Sequence, residues 1–223
     1  MITVPERQFG LCYLLLDIFV LPRLFAFLLP QCFPGISVAG VNFSWHLTSF
    51  MVLICVFRRF LLASLHTFCS RIVPVLVYSL VGLVLYWTAS WLMSLLLSSI
   101  QPGFANINGQ TVSTLFSQNF ILMAVATAVL APITEEILYR GVLFDSLYSK
   151  TKAGALILSS LLFALIHIVT YVGKYPVETL LLCFLQYLPA GLCLGWVYGK
   201  SKNLLAPILI HMVVNTMGIL ALR

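Results

Sequence analysis

Charge is what this sequence has least of. Six acidic and twelve basic residues stand in a chain of 223, which is 61% hydrophobic and only 8% charged, with a mean hydropathy of +1.08. Soluble domains carry about 25% charged residues, so an ordinary water-facing surface is excluded. Also missing are low-complexity tracts, internal repeats and any polar block large enough for a soluble domain. Cys12, Cys32, Cys55, Cys69, Cys183 and Cys193 form no C-x-x-C pair and lie mostly in apolar runs. They read as small buried hydrophobes rather than as a disulfide framework or a metal site. No cleavable signal peptide is expected, because the first apolar run is long and is broken by Asp17, Pro22 and Arg23. Asn42-Phe43-Ser44 fits a glycosylation sequon, a triplet that often arises by chance.

What the chain does have is apolar runs. Crossing about 30 Å of hydrocarbon takes roughly 20 helical residues, and backbone groups in lipid must be satisfied within helices or a closed barrel. These runs are too uniformly apolar for the alternating strands of a barrel. The expected fold class is all-α, a polytopic transmembrane helical bundle of about seven spans forming one integral membrane domain over residues 1–223. The expected spans are 9–29, 43–57, 72–100, 119–144, 153–171, 179–198 and 204–222, with the catalytic core in 119–222. Residues 58–71 read as an interfacial helix or as a prolongation of the second span. Residues 101–118 read as a polar loop, with Pro102, Gly103, Asn106, Asn108 and Gly109 as breakers.

The net charge of +6 points to membrane orientation rather than to nucleic acid. With the N-terminus cytoplasmic, the inner segments hold Arg7, Arg58, Arg59, Arg71, Lys150, Lys152, Lys200 and Lys202. The outer ones hold only Lys174 and Arg223. That is a strong positive-inside bias. The expected setting is the bilayer of a plasma membrane, and nothing in the sequence fixes an oligomeric state.

Against this background three polar constellations stand out. Ionisable residues inside a span cost about 2.5–3.5 kcal/mol each on insertion scales, so they need a reason. Leu130-Ala-Pro-Ile-Thr-Glu-Glu-Ile-Leu-Tyr-Arg-Gly141 places Glu136 and Arg140 at i and i+4, on one helix face, where they can pair. Glu135 points about 100° away and is free for another partner. Pro132 removes a backbone bond one turn earlier and can bend the helix beside the carboxylates. Phe163 and His167 are again i and i+4, as are His211 and Asn215. Polar membrane residues face the bundle interior, so all three stripes are expected to meet at one cavity. Asp17 and Arg23 read as a local pair or as interfacial side chains, and His46 and His66 as packing residues. Gly191, Gly195 and Gly199 read as a smooth face for close helix packing.

Glu135-Glu136-x-x-x-Arg140, Phe163-x-x-x-His167 and His211-x-x-x-Asn215, in this order and spacing, resemble the three signature motifs of the CAAX endopeptidase and bacteriocin-processing (CPBP, or Abi) family of intramembrane peptidases. The resemblance covers about Ala131 to Asn215. It implies an intramembrane endopeptidase acting on a membrane-associated protein or peptide through glutamate-activated water. No H-E-x-x-H helix is present and no serine or cysteine is set beside a histidine in a recognisable motif. The implied roles are Glu135 as general base, His167 orienting the water or the proton, and His211 with Asn215 donating to the oxyanion. Glu136, Arg140 and Phe163 are assigned to structure or substrate positioning. No cofactor is expected, although Glu135, His167 and His211 could ligate zinc in a metal-dependent variant. The competing class is a non-catalytic membrane binding protein, such as a bacteriocin self-immunity factor.

Overall fold

The computed structural model describes residues 2–222, and among these it is helical with no strand. In chain order the helices are α1 (Val4–Phe19), α2 (Leu21–Cys32), α3 (Val38–Ser70), α4 (Ile72–Ile100) and α5 (Ile107–Gln118). They continue with α6 (Phe120–Tyr148), α7 (Lys152–Ile166), α8 (Val177–Ser201) and α9 (Leu205–Leu220). Helices α3, α4, α6 and α8 are long and apolar enough to cross a membrane. Helices α1 and α2, bent by 61°, make a fifth crossing if taken together. Large side chains such as Val73, Leu80, Val84 and Leu95 point outward from α4. In water such a surface would be untenable; in lipid it is the ordinary solvent-facing one.

By length, four or five of the seven expected spans qualify. Helices α7 and α9 are apolar but only 15 and 16 residues long, short of the roughly 20 that a span needs. The chain breaks between α1 and α2 at Val20, just before Pro22, whose ring cannot continue the hydrogen-bond ladder. Residues 58–71 prolong the second span instead of lying separately. Helix α3 runs through 33 residues, roughly 50 Å at 1.5 Å per residue, so its Arg58 and Arg59 region emerges from the hydrocarbon. The supposed loop at 101–118 contains α5. Asn106 caps it by accepting from the Gly109 N–H at 3.1 Å, as Ser37 caps α3 through Gly40 at 3.0 Å.

The two ends of the bundle differ in chemistry. At one end Asn203 Nδ2 donates to the Ser64 carbonyl at 2.8 Å, and the Tyr198 hydroxyl donates to Asp145 at 2.8 Å. The Lys202 ammonium there lies 3.5 Å from the Tyr148 ring centroid. The α3 and α5 end is tied by uncharged groups. Asn106 Nδ2 donates to Gln186 at 2.7 Å, Asn108 Nδ2 to the Tyr187 hydroxyl at 2.9 Å, and the Ala39 N–H to Gln118 at 3.1 Å. Arg223 lies outside the described residues.

The glycine face of α8 is real. A methyl group on Gly191 would sit 2.8 Å from the Ser160 backbone, and one on Gly195 2.8 Å from Leu156. Close approach of α7 to α8 needs these positions bare. The cysteines are free, and four of them (Cys12, Cys32, Cys55 and Cys69) lie on the exposed surface rather than in the core.

Candidate active site

The motif stretch of α6 is not a regular α-helix. Two wide π segments, Ala126–Leu130 and Ile137–Phe144, flank a short α segment, Ala131–Glu136. In the first of them the Ala131 N–H bonds five residues back, to the Ala126 carbonyl. In that register the next bond would run from residue 132 to Thr127, but Pro132 has no N–H to donate. The Thr127 carbonyl is taken instead by Asn215 Nδ2 at 2.8 Å, from α9. The proline of the first motif region is thus the reason why α6 and the asparagine of the third motif meet.

Glu136 is the hub of the buried charge. Its Oε1 accepts from Arg140 at 3.0 Å and faces His211 Nδ1 at 2.9 Å. The i,i+4 pair expected from the sequence is present, with both side chains fully buried. The bond to His211, 75 residues away, was not visible in any spacing. Arg140 also donates to the Gly191 carbonyl at 3.2 Å, and its guanidinium lies 4.6 Å from the Phe163 ring centroid. Phe163 packs behind the cavity without lining it, with ring contacts to Tyr139, His167 and His211.

Glu135, His167, His211 and Asn215 line one cavity of about 450 Å³, within the range of small-molecule sites. Glu135 Oε2 is buried without a hydrogen-bond partner and stands 3.9 Å from His211 Nε2. His167 caps the C-terminus of α7, its Nδ1 bonded to the Phe163 carbonyl at 2.8 Å. A carbonyl only accepts, so that nitrogen carries the proton, and Nε2 of the neutral ring is an acceptor. The ring stacks on Tyr187 with centroids 4.0 Å apart. The His211 Nδ1 proton is fixed in the same way, by the Glu136 carboxylate.

Several cavity residues carried no functional signal in the sequence. Asn42, Trp45 and His46 come from α3 and Asn108 from α5. His46 is a cavity residue rather than packing alone. Asp17 does not pair with Arg23, which donates to the Phe19 carbonyl. Asp17 instead accepts from Trp45 Nε1 at 3.0 Å and from the Ser49 hydroxyl at 3.1 Å. Among the described residues no three histidine, cysteine, aspartate or glutamate side chains gather as ligands for a metal ion.

This site can be set beside known proteins. Residues 117–217 match the family model described as "Type II CAAX prenyl endopeptidase Rce1-like". The chain is 29% identical over 151 residues to the UPF0177 protein YxdF of Lactococcus lactis subsp. lactis (strain IL1403), covering 64% of this chain and 75% of that one. It is 32% identical over 98 residues to a protein of Bacillus subtilis (strain 168) named "Putative membrane peptidase YdiL", covering 43% of this chain and only 35% of that one. No solved structure matches the chain at a significant level. All three motifs fall inside residues 117–217, the segment that is similar to the Rce1-like family of type II CAAX prenyl endopeptidases.

Proposed function

We propose that this chain is an intramembrane endopeptidase that hydrolyses peptide bonds of a membrane-associated protein or peptide with water activated by Glu135. The observation that supports this most is the meeting of Glu135, His167, His211 and Asn215 at one cavity from three separate helices. A water between them has an acceptor in His167 Nε2 and a base in Glu135. Its oxygen attacks the substrate carbonyl carbon while Glu135 takes its proton. The resulting oxyanion receives hydrogen bonds from His211 Nε2–H and from the second N–H of Asn215, the first being held by Thr127. The C–N bond then breaks and Glu135 returns the proton to the leaving amine. Glu136, Arg140 and Phe163 hold the arrangement in place and contribute no reacting atom.

The orientation that goes with this reading puts the N-terminus and the Lys150, Lys152, Lys200 and Lys202 turns in the cytoplasm of a bacterial cell, as the charge bias favours. Cleavage of a reporter peptide by purified protein tests the chemistry, wild type against Glu135→Gln. Cysteine labelling in intact cells tests the orientation. Lys200→Cys should resist an impermeant reagent applied from outside, and its labelling would reverse the topology.

A further inference from the structure

The cavity has a second wall, built by α3, which lies outside the segment that carries the three motifs. Asn42, Trp45 and His46 stand at i, i+3 and i+4, on one face of that helix, and all three line the cavity. Each is partly accessible. Two further observations give the wall a purpose. Asn42 Oδ1 is buried and has no hydrogen-bond partner, and a buried acceptor left unmade is costly. A donor that arrives with a ligand satisfies it, and a peptide backbone N–H is such a donor. The Trp45 ring, in turn, has its only polar atom fully engaged. Its Nε1 donates to Asp17, which also accepts from Ser49, whose hydroxyl in turn accepts from Tyr13 at 3.0 Å. Asp17 is buried within the bundle, where an ionisable group is costly, and fixing Trp45 is what it does there. The Trp45 ring, with the His46 ring tilted against it 4.3 Å away, can therefore offer the cavity only apolar and π surface.

We propose that this face of α3 is the substrate-reading wall of the proposed peptidase: Asn42 accepts from the backbone of an extended peptide, and Trp45 selects a large apolar or aromatic side chain beside the scissile bond. Asp17 is a positioning residue that acts through Trp45. The inference rests on the peptidase reading for its substrate class and separates the chain into a catalytic half and a specificity half.

The test uses the full-length purified protein and a library of quenched-fluorescence octapeptides varied one position at a time. Asn42→Ala should raise KM about 5–10-fold, the worth of one buried hydrogen bond, with a smaller effect on kcat. Trp45→Ala should flatten the preference for large apolar side chains at one position. Asp17→Leu should flatten the same position, whereas Asp17→Asn, which keeps an acceptor for Trp45, should retain the wild-type profile. If Asp17→Leu fails to fold by thermal melt, the Asn42 and Trp45 variants decide alone. A library ranking and KM unchanged in both would overturn the proposal. Binding of one dansylated octapeptide to the Glu135→Gln protein, with and without Asn42→Ala, separates this claim from the chemistry. Weaker binding in the double variant supports the wall even if no peptide is cleaved. Equal binding, or none, overturns it.

Discussion

Glu136 carries more than the ion pair that its spacing suggests. One carboxylate oxygen serves both Arg140 and His211, so the helix-packing pair and the third motif share an atom. Removing Arg140 strands a fully buried carboxylate, and breaking a buried pair from one side costs about 3–5 kcal/mol. Arg140→Ala should therefore lower the melting temperature in detergent as well as the activity. It also deprives the Gly191 carbonyl of its donor, which loosens the α6–α8 contact. An inactive Arg140→Ala protein that melts with the wild type would contradict this account and move Arg140 to the substrate.

At the scale of the element, α6 decides the geometry. Its π register and Pro132 together leave the Thr127 carbonyl for Asn215. Pro132→Ala restores an N–H that competes for that carbonyl. The variant should melt no lower than wild type, since proline in a helix interior is unfavourable by about 3 kcal/mol. Its cleavage rate should fall, because Asn215 loses its anchor. Full activity with an unchanged melting temperature would mean that Asn215 is placed by something else. Much of this element was legible in the sequence. The i,i+4 pairing of Glu136 with Arg140 follows from helix periodicity, and Pro132 marks the backbone bond that is lost. The π register was not, because the chain's composition bears no mark of it beyond the proline. Helix α5 was hidden for a different reason. Asn106, Asn108 and Gly109 favour loops locally, and the Asn106 cap is joined by tertiary bonds from Asn106 to Gln186 and from Asn108 to Tyr187 that tie the helix down. The Glu136–His211 bond and the Asp17–Trp45 bond join distant segments, and no local pattern encodes them.

For the whole molecule, Arg7, Lys152, Lys200 and Lys202 gather around Asp145 and Tyr148 at one end, and the motif cavity reaches toward the other. Its rim includes Gly109 on α5 and Gly218 and Leu222 at the end of the chain's last helix. In the proposed reading a peptide segment reaches the carboxylates from this rim. Only the motif-bearing half is shared with the Rce1-like family model, while α3 and α5 complete the cavity. The central claim is that this cavity hydrolyses peptide bonds through one water held by Glu135 and His167. The most direct measurement is the cleavage rate of a reporter peptide by purified wild type, Glu135→Gln, His167→Ala and the double variant, each checked for folding by thermal melt. Glutamine keeps the shape of Glu135 but cannot take a proton, so the rate should fall about 10²–10⁴-fold with little change in melting temperature. His167→Ala should fall in a similar range, and the double variant should be less than additive, because both act on one water. Cleavage at the wild-type rate by a folded Glu135→Gln protein would contradict the account and leave a membrane protein that binds its partner without cutting it.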